Sequence, residues 1–204
     1  MKEPNLMPFQ NEPFNGDTFI QEEFLKLKHK YELTTAVETG TCLGSTTLFL
    51  SNNFEKVYTV EINEGYLHIA KQKFISHKNI EAFNGDSATI LAYQLNKLSN
   101  RTIYFLNSYV GGVCPLKNEL AAIANTALRP VIAIYDFQVP GEPLLFASYY
   151  GQPLNLEWIK PSLDLIYNER RIDERKVTDD YEYYYNSYEK SGGVRRGIIY
   201  ILPK

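Results

Sequence analysis

The sequence predicts a doubly wound α/β fold with a mostly parallel, seven-stranded sheet and an antiparallel C-terminal strand. Short apolar runs alternate with helical patterns between residues 34 and 135. Alternation at this interval is typical of right-handed βαβ units, which build a parallel sheet covered by helices on both faces. Two further strand patterns end the chain, joined by a turn through Ser191, Gly192 and Gly193. They predict an antiparallel pair at one edge of the sheet.

The elements follow in order from the first helix. Asp17 is a plausible N-cap for a helix that runs to about Tyr31, with Ile20, Phe24 and Leu27 at core-facing helical spacing. Residues 1–16 then form an irregular arm, and residues 17–204 form a single domain. The predicted strands comprise residues 34–38, 56–62, 79–84, 102–106, 131–135, 181–185 and 197–202. The later helices comprise residues 45–53, 64–76, 86–98, 115–126 and 154–167, with a long loop over residues 136–153.

Composition and charge exclude several classes of function. A chain of 204 residues with a formal net charge of −3 has no strong basic field for a nucleic-acid backbone. The polar start carries no apolar segment of a signal peptide, and no apolar run approaches the ~18 residues of a membrane span. The only cysteines, Cys42 and Cys114, stand far apart, which favours a reducing compartment. We therefore expect a cytoplasmic protein with no nucleic-acid or membrane partner, and a homodimer is left open.

A glycine-bearing turn follows the first predicted strand. Gly40 and Gly44 allow a sharp turn and a close approach of the backbone to a ligand. The dinucleotide fingerprint G-x-G-x-x-G fails, because Cys42 and Ser45 stand at its second and third glycine positions. The phosphate-binding Gly-Lys-Ser/Thr pattern is also missing. Glu38, just before the turn, would repel a pyrophosphate and suits a cationic ligand that carries an amino acid.

Two acidic residues follow the next two strands. Glu61 ends the second strand, where a carboxylate can accept hydrogen bonds from both hydroxyls of a ribose. Asp86 follows Gly85 after the third strand and could take the exocyclic amine of adenine. Each feature also has a structural interpretation. Glu61 could be a solvated strand end, Asp86 a helix N-cap, and the glycines an ordinary strand–helix turn.

The combination of these motifs resembles class I S-adenosylmethionine (SAM)-dependent methyltransferases. The resemblance rests on Glu-x-Gly-x-x-x-Gly at residues 38–44, Glu61 at the end of strand two, and Gly-Asp at residues 85–86. It implies the Rossmann-like methyltransferase fold, SAM as cofactor, Glu38 and Gly40 beside its methionine portion, Glu61 at its ribose and Asp86 by its adenine. The implied cofactor-binding set is Glu38, Gly40, Thr41, Gly44, Ser45, Glu61, Asp86 and Ser87.

The methyl acceptor is expected over strands four and five. Their ends resemble a branch of small-molecule methyltransferases, including O-methyltransferases of natural-product sugars, in which strand four ends Leu-Asp-Ala-His and strand five Ile-Asp-Asp-Phe. In this sequence Asn107 replaces the Asp at the end of strand four, and Tyr109 replaces the His. Tyr135 replaces the first residue of the Asp pair after strand five, so that Asp136 is the carboxylate of that pair that remains. Because hard cations need several anionic oxygens, no metal site is expected. The candidate catalytic residues are Asn107, Tyr109 and Asp136.

Three functions remain open at this stage. The first is a SAM-dependent methyltransferase that acts on a small molecule at oxygen. The second is a catalytically silent protein of the same fold that binds a ligand or partner, and the third is a nicotinamide-dependent oxidoreductase. We also expect the loop over residues 138–151 and the N-terminal arm, with Phe9 and Phe14, to form a lid that excludes water.

Overall fold

A central β-sheet carries the functional edge of the molecule. The structure, a computed structural model, describes residues 11–109, 112–168 and 181–204. The parallel strands are β1 (Thr35–Thr39), β2 (Lys56–Glu61), β3 (Ile80–Asn84), β4 (Thr102–Leu106) and β5 (Val131–Tyr135). A separate short hairpin is formed by β6 (Ser148–Tyr149) and β7 (Gln152–Pro153), and the sheet is completed by β8 (Tyr181–Tyr185) and β9 (Ile198–Pro203).

The order of the strands is β3-β2-β1-β4-β5-β9-β8. Only β9 runs antiparallel to its neighbours, β5 and β8. The predicted fold is therefore confirmed, with the antiparallel strand lying one position inside the edge. The chain reverses its direction of winding between the adjacent strands β1 and β4. In such sheets, ligands bind beyond the carboxyl ends of the strands at this switch point.

Within the described residues, six α-helices surround the sheet. They are α1 (Thr18–Lys30), α2 (Ser45–Asn53), α3 (Glu64–Lys73), α4 (Ser87–Tyr93), α5 (Leu116–Ala124) and α6 (Leu156–Tyr167). Helix α4 ends five residues before the predicted position, because the N–H groups of Gln94 and Leu95 both donate to the Ile90 carbonyl and close the last turn. In the part of the chain that the structure describes, no helix combines the length and apolar character of a membrane span.

The core consists of two apolar layers, one on each face of the sheet. Along β4, Tyr104 and Leu106 face one layer, whereas Ile103 and Phe105 face the other. The first layer packs against α4, α5 and α6, and the second against α1 and α2. All five residues of β4 and all five of β5 are buried. This burial of both strand faces is the pattern expected of central parallel strands.

The start of the described chain packs on the second layer. Residues Pro13–Gly16 form a 3-10 helix, and the Phe14 ring lies 4.8 Å from the Phe24 ring and 5.2 Å from the Phe105 ring, centroid to centroid. The Phe14 N–H donates to Thr46 Oγ1 over 2.9 Å. Phe14, expected in a lid, is therefore a core residue, because its ring fills the space between α1, α2 and β4. Residues 1–10, including Phe9, lie outside the described residues.

Candidate functional site

The turn after β1 brings two strand ends into direct contact. Gly40 has φ +85°, and a β-carbon on it would lie 2.3 Å from the Asn107 carbonyl oxygen at the end of β4. Gly44 has φ +80°, and a β-carbon there would lie 2.7 Å from the Phe74 ring. Both positions therefore require glycine for conformation and for space. Gly40 thus leaves the backbone bare at the switch point of the sheet.

Glu61 presents a buried carboxylate at the end of β2. Its side chain accepts hydrogen bonds from the Cys42 N–H over 2.8 Å and from the Asn63 N–H over 2.9 Å. The first of these bonds fixes the glycine turn, and the second fixes the start of α3, whose N-cap is Asn63. Because each carboxylate oxygen has about two lone-pair positions, both can accept one further bond from a ligand. Glu61 is therefore more than a solvated strand end.

A cavity of about 220 Å³ opens beside Glu61. Its volume approaches the ~300–1,000 Å³ of small-molecule pockets. The exposed aliphatic side chains of Ile62 and Val113 line it together with Pro115. The remaining lining residues are Gly40, Val60, Glu61, Gly85, Asp86, Ser87 and Ser108. An apolar slot with one buried carboxylate at its side suits a planar ring joined to a polyol. We call it the nucleoside cavity.

Asp86 and Ser87 begin α4 at the wall of the nucleoside cavity. Asp86 Oδ1 accepts from the Thr89 N–H over 2.8 Å, so Asp86 is the helix N-cap. Its side chain is exposed and also lines the cavity, which makes the capping and ligand-facing interpretations compatible. The Ser87 hydroxyl is buried and donates to a carboxylate that the sequence analysis did not single out, Glu119.

Glu119 connects three strand ends beneath the nucleoside cavity. Its Oε1 accepts from the hydroxyls of Ser87 and Ser108, the latter over 2.7 Å, and Thr39 also hydrogen-bonds to its carboxyl group. Burial raises the pKa of Glu119, and these hydrogen bonds oppose the rise. From sequence, a glutamate within an amphipathic helix is indistinguishable from a solvent-facing one. Only the packing of α5 against the sheet makes it a site residue.

Glu38 lies in a network of threonine hydroxyls under the glycine turn. Thr47 and Thr59 both donate to Oε2 of Glu38, and Thr41 is hydrogen-bonded to Thr59. Burial raises the Glu38 pKa to about 7 against the hydrogen bonds from Thr47 and Thr59, and Glu61 adds a smaller repulsion. Thr41 thus contacts the network through its side chain. A cation nearby would favour the charged form of Glu38.

A smaller cavity lies on the other side of the glycine turn. Its volume is about 60 Å³, and it shares Gly40 with the nucleoside cavity. The lining includes the start of α2, where helical N–H groups favour anions, and the buried Glu38 carboxyl, which favours cations. The predicted residues Glu38, Gly40, Thr41, Gly44 and Ser45 all line this cavity, together with Glu12, Asn15 and Tyr135. We call it the amino-acid cavity.

Asn107 and Tyr109 stand together at the end of β4. Both line a narrow space of about 10 Å³ with Tyr135, and Asn107 also lines the amino-acid cavity. The Tyr109 hydroxyl donates to the Ser148 carbonyl over 2.8 Å, so it ties the β4 end to the β6–β7 hairpin. The Tyr135 hydroxyl accepts from the Asn15 amide over 3.2 Å.

Asp136 is held apart from these two residues. It has φ +58°, and its Oδ1 lies 2.6 Å from Nη1 of Arg196 in a largely buried ion pair. Burial raises the Asp136 pKa, whereas Arg196 lowers it. Asp136 is not among the residues that line the three cavities described above. Over residues 11–109, 112–168 and 181–204, no group of three or more His, Cys, Asp or Glu side chains could hold a metal ion.

Comparisons with known proteins identify similar structures but no similar sequences. No family model matches the chain, and no curated protein matches it. An O-methyltransferase of tomaymycin synthesis from Streptomyces achromogenes, solved with SAM, is 11% identical with a TM-score of 0.58. That match covers 91% of this chain and 79% of the other.

Two further structures show the breadth of this fold. A putative methyltransferase from Streptococcus mutans, solved with S-adenosylhomocysteine (SAH), is 18% identical with a TM-score of 0.52. That match covers 88% of this chain and 97% of the other. A precorrin 8w decarboxylase from Methanobacterium thermoautotrophicum is 15% identical with a TM-score of 0.53, and the match covers 91% of this chain and 89% of the other. At such identities the comparison shows a shared fold. The reaction has to be argued from the site itself.

Proposed function

We propose that the protein binds SAM across the two cavities that share Gly40 and transfers its methyl group to an oxygen atom of a small-molecule acceptor. The observation that carries this proposal is the joint position of Gly40, Glu61 and Asp86 on one cavity at the switch point. These residues lie at the carboxyl ends of β1, β2 and β3, which are adjacent strands of the sheet. The structural neighbours crystallised with SAM or SAH support the same cofactor.

The chemistry of the lining residues fits the parts of this cofactor. Glu61 would accept from the ribose hydroxyls, and the aliphatic side chains of Ile62 and Val113 would contact the adenine ring. The methionine portion, which carries both charges of an amino acid, would take the amino-acid cavity near Glu38 and the start of α2. When bound, SAM supplies an electrophilic methyl group on a sulfonium.

This chain would contribute position and hydrogen bonding to the acceptor. Tyr109 and Asn107 lie next to the amino-acid cavity at the end of β4. We propose that they orient the acceptor hydroxyl, since placement of the reactants can supply a large share of the rate. Because Asp136 pairs with Arg196, we propose that it acts indirectly, by shaping the end of β5.

The proposal includes a cytoplasmic location for the protein and a small molecule as the methyl acceptor. Cys42 and Cys114 form no disulfide, which supports a cytoplasmic location, where thiols stay reduced. A small-molecule acceptor is supported by the natural-product O-methyltransferase among the neighbours.

Formation of SAH from SAM tests the proposal against a catalytically silent protein. The protein is incubated with SAM and a panel of hydroxyl-bearing small molecules, and SAH is quantified by mass spectrometry. Acceptor-dependent SAH together with a methylated product is the expected result. A protein that binds SAM but forms no SAH with any acceptor would fit the silent alternative. A protein that does not bind SAM would contradict the proposed methyl transfer.

A further inference from the structure

An exposed tyrosine stands at the tip of the β6–β7 hairpin. Tyr150 and Gly151 are the two central residues of its turn, and their φ angles are +48° and +81°. Positive φ at both positions is the mark of a type I′ turn, in which Asn, Asp and Gly are the favoured residues. A bulky side chain in this conformation is strained. Tyr150 is 91% exposed, so packing against the described residues gives little stability in return.

Two further aromatic side chains stand beside Tyr150. The Tyr149 ring lies 4.6 Å from the Tyr150 ring and 6.4 Å from the ring of Trp158, near the start of α6, centroid to centroid. We call these three rings the aromatic surface. Lys117 Nζ lies 4.6 Å from the centre of the Trp158 ring and so covers part of it. The two tyrosines therefore offer the more accessible rings of this surface.

The aromatic surface adjoins the side of the site where the acceptor is proposed to bind. The Tyr109 hydroxyl donates to the carbonyl of Ser148, the residue before Tyr149. This bond uses the proton of Tyr109 and leaves lone pairs that can accept from an acceptor hydroxyl. Just before the hairpin, the Ala147 N–H donates to the Asp136 carbonyl over 2.8 Å. The hairpin is thus bonded to the chain at the ends of both β4 and β5.

We propose that Tyr149 and Tyr150 bind an aromatic ring of the methyl acceptor, so that the substrates are hydroxylated aromatic compounds. The inference rests on the proposed function and names the class of its acceptor. Contact between aromatic rings stabilises a complex beyond the burial of apolar area, and a tyrosine ring loses little conformational freedom when it is covered. Ligand binding also gives the strained tip a role, since strain of this kind is commonly kept where it serves a function.

The test compares two probes of similar outline, 4-hydroxybenzoate and trans-4-hydroxycyclohexanecarboxylate. Both carry a hydroxyl group and a carboxylate, but only the first has an aromatic ring. In titration calorimetry with saturating SAH, wild-type protein is expected to bind the aromatic probe ~5–10-fold more tightly than the aliphatic one. Trp158 is the only tryptophan of the chain. A change in its fluorescence on binding reports whether the aromatic probe lies at the aromatic surface.

Tyr150→Asn separates ligand binding from folding. Because Asn tolerates positive φ better than Tyr, the variant should melt ~1–3 °C higher than wild type. It should nevertheless bind 4-hydroxybenzoate ~5–10-fold more weakly, with the Kd of the aliphatic probe within about twofold of wild type. Glu32→Asn is the matched control, because Glu32 is also exposed, has φ +49° and lies just before β1, at the opposite end of the sheet. It should gain stability without a change in either Kd.

The outcomes distinguish this inference from the proposed function. The inference is overturned if wild-type protein binds neither probe or both equally. It is also overturned if Tyr150→Asn and a second variant, Tyr149→Leu, bind 4-hydroxybenzoate as tightly as wild type, or if only aliphatic hydroxyl compounds are methylated. If no acceptor is methylated at all, the proposed function fails, and the calorimetry still decides whether these tyrosines bind an aromatic ring. A dimer that dissociates in Tyr150→Asn, seen by sedimentation, would assign the surface to a second copy of the chain and overturn the inference.

Discussion

The α-carbon of Gly40 packs directly against the carbonyl of Asn107, so that β1 and β4 end in contact at the switch point. A β-carbon at residue 40 would lie 2.3 Å from that oxygen and would also force a side chain into φ +85°. The proposed site depends on this contact, because Gly40 lines both the nucleoside cavity and the amino-acid cavity.

Gly40→Ala is expected to abolish SAH binding and to lower the free energy of unfolding. Gly141→Ala is the matched control, since Gly141 has φ +77° but no atom within 4 Å of the added β-carbon. Both variants place an alanine at positive φ and lose stability for that reason. Gly40→Ala should lower the free energy of unfolding by a further ~1–3 kcal/mol, because its β-carbon is overpacked against Asn107. Urea denaturation and calorimetry measure the two effects. Equal stability losses with retained SAH binding in both variants would contradict the account.

Glu38 makes the stability of the protein depend on pH. Burial raises its pKa from 4.5 to about 7 in the folded state, so the folded protein binds more protons than the unfolded chain between these values. This contribution is fully present below pH 4.5 and is lost as the pH rises through 7. The loss amounts to about 3 kcal/mol at most.

Glu38→Gln removes the titrating group and should flatten this part of the curve. Urea unfolding of wild-type protein and the variant at pH 5, 6, 7 and 8 gives the difference in slope. The other buried carboxyl groups are present in both proteins and cancel to first order; they are Asp17, Glu23, Glu61, Glu119 and Asp136. Parallel stability curves for the two proteins would show that Glu38 is already ionised at pH 5.

Much of the fold could be predicted from the sequence because its signals are local. The runs that became β4 and β5 are continuously apolar, and Asp17 and Asp86 cap helices as their positions indicate. The roles of Glu119 and Arg196 could not be predicted in this way. Each depends on a partner 11 or more residues away in the chain, Ser87 and Ser108 for Glu119 and Asp136 for Arg196.

The N-terminal segment shows the same limit. Phe14 lies among prolines and polar residues, and nothing local marks it as a core residue. Its burial depends on the rings of Phe24, Phe49 and Phe105 from three different elements. The glycine turn was easier to recognise, because the positive φ and close approach restrict Gly40 and Gly44 to one residue type.

Tyr109→Phe and Asp136→Asn test the acceptor side of the site. Tyr109→Phe loses the bond to the Ser148 carbonyl, worth ~0.5–1.5 kcal/mol. Asp136→Asn keeps a residue type that tolerates φ +58° and loses the charge that pairs with Arg196, at ~1.5–3 kcal/mol. SAH binding should persist in both variants, whereas methyl transfer should fall, more strongly in Tyr109→Phe. Normal turnover in both would place the acceptor elsewhere.

Magnesium is expected to have no effect on the protein. In place of a second carboxylate beside Asp136 the chain has Tyr135, and Arg196 already neutralises the Asp136 charge. The melting temperature with ~5–10 mM Mg²⁺ should equal that in chelator. Methyl transfer should likewise survive chelation. A melting temperature that rises with Mg²⁺, or activity that chelator abolishes and Mg²⁺ restores, would show that a hard-cation site exists.

Titration calorimetry of the wild-type protein with SAH and with NAD tests the central claim most directly. The account predicts that SAH binds, that NAD does not, and that Glu61→Ala weakens SAH binding by ~1–3 kcal/mol through the loss of a charged acceptor. Glu81→Ala, which changes an exposed glutamate on β3, should leave SAH binding unchanged. Binding of NAD with no binding of SAH would contradict the account and return the protein to the nicotinamide-dependent class.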